Sequence, residues 1–195
     1  SFDYIKLNFE LKNKIIFWSP HIHFFDLIKF DNYPNTLSFF AKQFENQNNK
    51  IFVSSNEILF LENKYFMHQE LEKKGIKTPR TWLYENKSEI DTNDLEFPLL
   101  YKENHSSSGL GLHLFKDRLA FEKFKFPNKI VLQKLMNIRK DMRVTIIGGQ
   151  VISSFWRINV SDRWMPTSTK NGSSVKFEKI SKRLEKYVLD VVDKL

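Results

Sequence analysis

Residues 99–115 read LLYKENHSSSGLGLHLF: an apolar run, one lysine, a small-residue loop and a second apolar run. A chain with only six glycines places two of them, Gly109 and Gly111, in this loop, directly after Ser106, Ser107 and Ser108. Glycine lets backbone N–H groups come close to an anion, and the neighbouring Lys102 supplies a positive charge. The chemistry available to the stretch is therefore polyphosphate binding by a flexible flap. An ordinary small-residue hairpin turn has the same composition, and on the loop alone both readings stand.

A second group is Asp141, Arg143 and Arg157, in KDMRVTIIGGQVISSFWRIN. Two β-rich runs flank Gly148-Gly149, the commonest two-residue hairpin chemistry, so the arginines lie on the two arms of one hairpin. Guanidinium forks there could hold a transferring phosphoryl group. Either arginine could instead make a structural ion pair, Arg143 with Asp141 or with a distant acid. His21 and His23 share a side if PHIHF is extended. With no cysteine in the chain and no third ligand in view, a satisfied or surface pair is the default and no metal site is assigned.

The elements that must position these residues alternate at first and then become strand-rich. KIIFWS (14–19) reads as a buried strand, and 33–47 as a helix capped at Asn35 or Thr36, with a stripe of Leu37, Phe40, Ala41 and Phe44. KIFVS (50–54) is a second strand. SNEILFLENKYFMHQELEKKG opens on capping serines, is helical at least from Glu62, and stops at Gly75. Strands follow at 80–85, 98–103, 111–116 and 129–135, with a short helix at 117–125. After the hairpin, 160–174 is polar and irregular, and 176–195 reads as one amphipathic helix.

The bulk properties set limits. At 195 residues the chain can hold one full domain or two small lobes. Its 19 phenylalanines come in short clusters, none near the ~18 residues a bilayer span needs, and no signal peptide opens the sequence. The expectation is a soluble cytoplasmic protein without a membrane partner, trimmed from a longer chain. The +8 formal charge favours an anionic partner, although heavy use of Lys, Asn, Ile and Phe is also a general compositional bias. The patterns G-x-x-x-x-G-K-[ST], G-x-G-x-x-G, H-R-D and D-F-G are all absent, which takes most of the weight from P-loop enzymes, Rossmann enzymes and protein kinases.

The ordered set is more specific than any one piece. A lysine at a helix start in ENKYFMHQELEKKGIKTPRTW, Gly-Ile-x-x-Pro before a strand, a strand lysine, the glycine flap, VLQKL, and then an Asp-x-Arg strand whose returning arm ends in arginine resembles the ATP-grasp superfamily. The closest look is to the branch of ribosomal-protein glutamate ligases and related peptide ligases. The resemblance covers roughly residues 33–195. It implies an α+β fold in which two lobes sandwich ATP, preceded by part of an α/β pre-ATP-grasp domain: residues 1–61 for that partial domain, 62–132 for the N-terminal lobe with its flap, and 133–195 for an incomplete C-terminal lobe.

What the resemblance implies for residues is equally definite. Lys64 and Lys102 match the two lysines that reach ATP phosphates, and as mobile point charges both suit that work, though either could be a plain surface lysine. Ser106, Ser107, Ser108, Gly109 and Gly111 belong to the flap. Gln133, Lys134, Leu135 and Met136 match the segment joining the lobes, where backbone groups bond the adenine edge; an edge strand is the other reading. Asp141 joins the nucleotide site, Arg143 and Arg157 match residues at the transferred phosphoryl, and Lys170 matches a basic position in the substrate loop.

The implied reaction is ATP-dependent joining of a carboxylate to an amine through an acyl phosphate, with a peptide or amino acid among the substrates. The implied Mg²⁺ would be held by an Asp and a Glu-x-Asn pair expected beyond Leu195. Asp190 and Asp193 lie on the last helix and are not promoted to ligands, and Thr167 stands where relatives often carry asparagine. Two rivals remain. One is a basic nucleic-acid module, suggested by KFKFPNK but lacking a motif. The other is a nucleotide-binding regulatory domain that has lost catalysis. Substrate identity and oligomeric state have no legible code.

Overall fold

A computed structural model of the chain describes residues 11–17, 33–106, 111–161 and 164–195. Ser107, Ser108, Gly109, His21 and His23 lie outside the described residues, as does the side chain of Lys170. The chain divides into two compact units, the first ending at Met67 and the second beginning at His68.

In the first unit, β1 (Ile15–Phe17) pairs in parallel with β2 (Lys50–Phe52), Ile16 opposite Ile51. Parallel neighbours need a crossover, and α1 (Tyr33–Glu45) lies between them in sequence. It buries Tyr33, Leu37, Ala41 and Phe44 with Ile51 of β2 and Ile58 of the next helix. Asn35 and Thr36 fall inside α1 rather than capping it. The helical stretch that follows is two helices, α2 (Ser55–Glu62) and α3 (Lys64–Lys73), broken at Asn63. Ser54 and Glu57 close a capping box at the start of α2. At the break the Asn63 side chain accepts from the Phe66 N–H at 2.9 Å, starting α3 afresh.

In the second unit Gly75 ends α3 with φ +63°, and the N–H of Ile76 reaches the Leu71 carbonyl at 2.9 Å. A four-stranded antiparallel sheet follows: β3 (Thr81–Tyr84), β4 (Leu99–Lys102), β5 (Leu112–Phe115) and β6 (Ile130–Lys134), in spatial order β3-β6-β4-β5. One face packs its core: Leu99, Tyr101, Phe115, Ile130 and Leu132 meet Phe121 from α4 (Arg118–Lys123), with Phe124 and Phe126 packed around them. Asp117 caps α4 by accepting from the Ala120 N–H at 2.9 Å.

A three-stranded sheet comes next, β7 (Lys140–Ile147), β8 (Gln150–Ile158) and β9 (Ser174–Phe177), in the order β7-β8-β9. Gly148 and Gly149 have φ of +57° and +75°, so the β7-β8 turn is the tight type that needs positive φ at both positions. The long final helix expected over 176–195 is a strand followed by a shorter helix, α5 (Lys182–Val192). Val175 and Phe177 pair with Arg157 and Phe155 of β8, and Ser181 caps α5 by accepting from the Leu184 N–H at 3.3 Å. Among the described residues no helix is long and apolar enough to cross a membrane.

Candidate nucleotide site

Strand alternation fixes which side chains share a face of the four-stranded sheet. Lys102 stands opposite Leu112 on β5 and Val131 on β6, while Gln133 stands opposite Leu100 and Thr81. Lys102 and Gln133 therefore project from one face, and the aromatic core with Tyr101 lies on the other. Gln133 is buried and donates to Thr81 Oγ1 at 3.0 Å, so its orientation is set by its neighbour strand.

Lys102 is the electrostatic anomaly of the unit. Burial pushes its pKa down from the ordinary lysine value, and among the described residues it makes no ion pair or hydrogen bond. A desolvated ammonium without a counter-ion is costly and gains strongly from an incoming anion. It sits at the last register pair of β4 and β5, where the flap begins. The flap's return is fixed by Gly111: its φ is +63°, and a Cβ there would lie 2.5 Å from Glu103 Oε2 and 2.7 Å from Ser106.

The other expected residues separate into kinds. Lys134 lies on the opposite face from Lys102 and pairs with Glu96 at 3.1 Å, and Arg80 meets the same carboxylate at 3.2 Å. The Lys134 hydrogen bond first, and then the Lys134 and Arg80 charges, hold the Glu96 carboxyl below its usual range. The Lys134 N–H bonds Arg80 O at 2.9 Å, after which Leu135 and Met136 leave the sheet in the irregular link between β6 and β7. Met136 is exposed, with its carbonyl accepting from the Ile138 N–H at 2.8 Å. Lys64 is the first residue of α3 and belongs to the first unit. Lys170 falls in a short 3-10 turn, Thr169–Asn171, closed by Gly172 at φ +80°.

Asp141, Arg143 and Arg157 share one face of the β7-β8 hairpin because of a bulge. The register runs Ile147 opposite Gln150 and Ile146 opposite Val151, then skips Ile152 so that Thr145 faces Ser153. Without that extra residue Arg157 would face Lys140 and point to the other side. With it, Arg157 faces Asp141, donating from Nε to Oδ1 at 2.9 Å and from Nη2 to Oδ2. Arg143 faces Phe155, is exposed, and makes no ion pair among the described residues. The ion pair weighed from sequence thus involves Arg157.

A groove of about 490 Å³ lies elsewhere, against β8, β9 and the start of α5, lined by Ile152, Ser154, Phe177, Lys179, Ile180 and Glu185. It contains none of the expected site residues. Among the described residues no group of three or more His, Asp or Glu side chains gathers to hold a metal, so the Mg²⁺ implied by the resemblance is given no ligands here. Sequence reasoning missed Glu103 and His113, which bracket the flap; the hairpin register around Gly111 was the signal that could have found them.

A four-stranded antiparallel sheet whose edge hairpin carries Lys102, followed by a three-stranded sheet bearing Arg143 and Arg157, makes the second unit an α+β arrangement. The profile of the RimK-like ATP-grasp domain matches residues 61–194, and the chain belongs to that family. Among curated relatives it is similar to N-acetylaspartylglutamate synthase A of Homo sapiens, 26% identical over 125 residues, covering 58% of this chain and 32% of the relative. It is equally similar to the coenzyme gamma-F420-2:alpha-L-glutamate ligase of Methanococcus maripaludis, 26% over 140 residues, 65% of this chain and 48% of the relative. Among solved structures, the L-amino acid ligase from Bacillus licheniformis superposes with a TM-score of 0.57 at 18% identity, over 83% of this chain and 40% of that one. The D-Ala:D-Ser ligase from Enterococcus faecalis gives 0.54 at 13%, over 80% and 50%. The structural likeness shows the α+β ATP-grasp fold. The chain spans between about a third and a half of the length of the curated relatives it matches.

Proposed function

We propose that this chain is the nucleotide-binding part of an ATP-dependent carboxylate–amine ligase, working in the cytoplasm. One observation carries the reading: Lys102 is desolvated, has no counter-ion among the described residues, and stands where the glycine flap begins. An ATP phosphate is the anion that fits it. The described ends of the flap, Ser106 and Gly111, border the phosphates, and Gln133 to Met136 meet the adenine edge. The lobes divide at residues 62–132 and 133–195, after a partial domain over 1–61.

In the reaction a substrate carboxylate oxygen attacks the γ-phosphorus, and the bond to the β–γ bridging oxygen breaks to release ADP. The resulting acyl phosphate is attacked at carbon by an amine, which loses a proton as phosphate leaves. No side-chain nucleophile is required, so the protein contributes positioning and charge stabilisation. Arg143, exposed and without an ion pair among the described residues, contacts the phosphoryl oxygens, and Arg157 presents its remaining N–H groups in an orientation fixed by Asp141. Lys170 keeps the place in the substrate loop that the resemblance gives it. Relatives named as glutamate and amino acid ligases support an amino acid or peptide as substrate.

The test is calorimetry and thermal shift with ATP, GTP and a nonhydrolysable ATP analogue, with and without Mg²⁺, on this chain and on Lys102→Ala. ATP-selective binding that falls at least tenfold in the variant is expected. Binding unaffected by Lys102→Ala would overturn the assignment, and salt-dependent oligonucleotide binding in its place would favour the nucleic-acid module.

A further inference from the structure

We propose that Glu103 and His113 form a clasp on the back of the flap hairpin and act as positioning residues for nucleotide phosphates, an inference that rests on the reading of Lys102 and the flap given above. The last register pair of β4 and β5 is Lys102 with Leu112, and one more backbone bond follows, from the Glu103 N–H to the Gly111 carbonyl at 2.8 Å. Glu103 and His113 both lie on the face opposite Lys102, where Oε1 of Glu103 accepts from Nε2–H of His113 at 3.2 Å. A carboxylate only accepts, so the imidazole nitrogen is the donor.

The two partners are held from different sides. The His113 ring lies on Tyr101, centroids 5.6 Å apart and 26° between planes, and against Phe124 at 4.9 Å. Tyr101 is fully buried in the sheet core, so the imidazole rests on a rigid base. The other Glu103 oxygen, Oε2, stands in the space a Cβ at residue 111 would need, beside Ser106, whose hydroxyl donates to the Glu103 carbonyl at 3.0 Å. Departing chain (103–106) and returning chain (111–113) are thereby tied at one point. The clasp touches no nucleotide; it fixes where the two described ends of the flap, Ser106 and Gly111, stand beside Lys102.

The experiment measures affinity for ATP and for adenosine, which has no phosphates, together with the melting temperature of the full chain. His113→Phe keeps the ring stack and removes the donor; Glu103→Ala removes the acceptor. Each is expected to weaken ATP binding roughly three- to tenfold, as loss of one positioning hydrogen bond does, with adenosine affinity unchanged. The double variant is expected to be no worse than either single, because both remove the same contact, and His113→Gln, which restores an N–H donor, recovers part of the loss. Unchanged ATP affinity in both singles, or equal losses for ATP and adenosine, would overturn the clasp. Lys102→Ala separates the two readings: if it leaves ATP binding intact, the nucleotide site itself is misplaced and the clasp falls with it; if it abolishes binding while the clasp variants do nothing, only the clasp is wrong.

Discussion

The two sheets of the second unit are built on different principles. In the four-stranded sheet, β4 and β6 are buried along nearly their whole length, and Phe115, Phe121, Phe124 and Phe126 interlock over one face with ring centroids between 4.8 and 5.7 Å apart. In the three-stranded sheet, β7 mixes exposed and half-buried residues, β8 has one buried residue, Ser154, followed by four half-buried ones, and β9 is exposed throughout. There the side-chain contacts are cross-strand pairs: Arg157 with Asp141, Lys140 stacked 4.3 Å over Trp156, and Phe155 against Phe177. The first sheet holds Lys102 half-buried; the second leaves the Arg143 guanidinium exposed while Asp141 holds that of Arg157. A platform and a presenting arm need different interiors, and only the platform needs a dense one.

The largest expected effect tests that contrast directly. Phe121 is fully buried, and Phe121→Ala should cost about 3–5 kcal/mol in chemical denaturation, the usual result of emptying a packed aromatic site. Phe177 is 76% exposed, and Phe177→Ala should cost within about 0.5 kcal/mol. Similar losses at the two positions would show that the three-stranded sheet has a core after all.

The second effect separates the two arginines. Arg157 and Asp141 side chains retain 16% and 29% of their exposure and share a two-point contact, so Arg157→Ala should cost about 1–2 kcal/mol, less than a fully buried pair because solvent still screens them. Arg143→Ala should leave stability unchanged, and under the proposed function it should reduce ligation. A stability loss at Arg143 matching that at Arg157 would mean that Arg143 is structural.

The order of strands, the hairpin at Gly148-Gly149, the stop at Gly75 and the flap lysine were all legible, because each depends on local composition: alternation, positive-φ glycines, or one polar residue in an apolar run. Three features were not. The break at Asn63 depends on an asparagine capping α3 inside a continuous helical pattern, where hydrophobic periodicity has no reason to stop. The strand Ser174–Phe177 is specified by its pairing with β8, a long-range contact that short polar segments do not announce. The Arg157–Asp141 partnership depends on the bulge at Ile152, since a single extra residue decides which face every later side chain takes. Residue types could be read from the sequence; which of them face one another had to be read from register.

The smallest expected effect concerns the platform's own charge. Burial holds the Lys102 pKa in the folded chain below its unfolded value of about 10.4, so the folded state releases this proton first as pH rises. The unfolded chain then binds more protons over the interval between the two values, and linkage makes stability increase with pH across it. Below the folded value the full cost of burying the ammonium is present; above the unfolded value it is gone. Lys102→Met keeps the stem's packing and removes the charge. The variant should be as stable as the parent or more so at neutral pH, and its stability profile should lose the rise on the alkaline side, measured by denaturation across that range. ATP should reverse the ranking, stabilising the parent and not the variant, since a phosphate would supply the counter-ion that none of the described residues places beside Lys102. A parent chain whose stability does not rise toward alkaline pH, or one destabilised by methionine at neutral pH, would mean that Lys102 already has its partner and that the platform is not waiting for an anion.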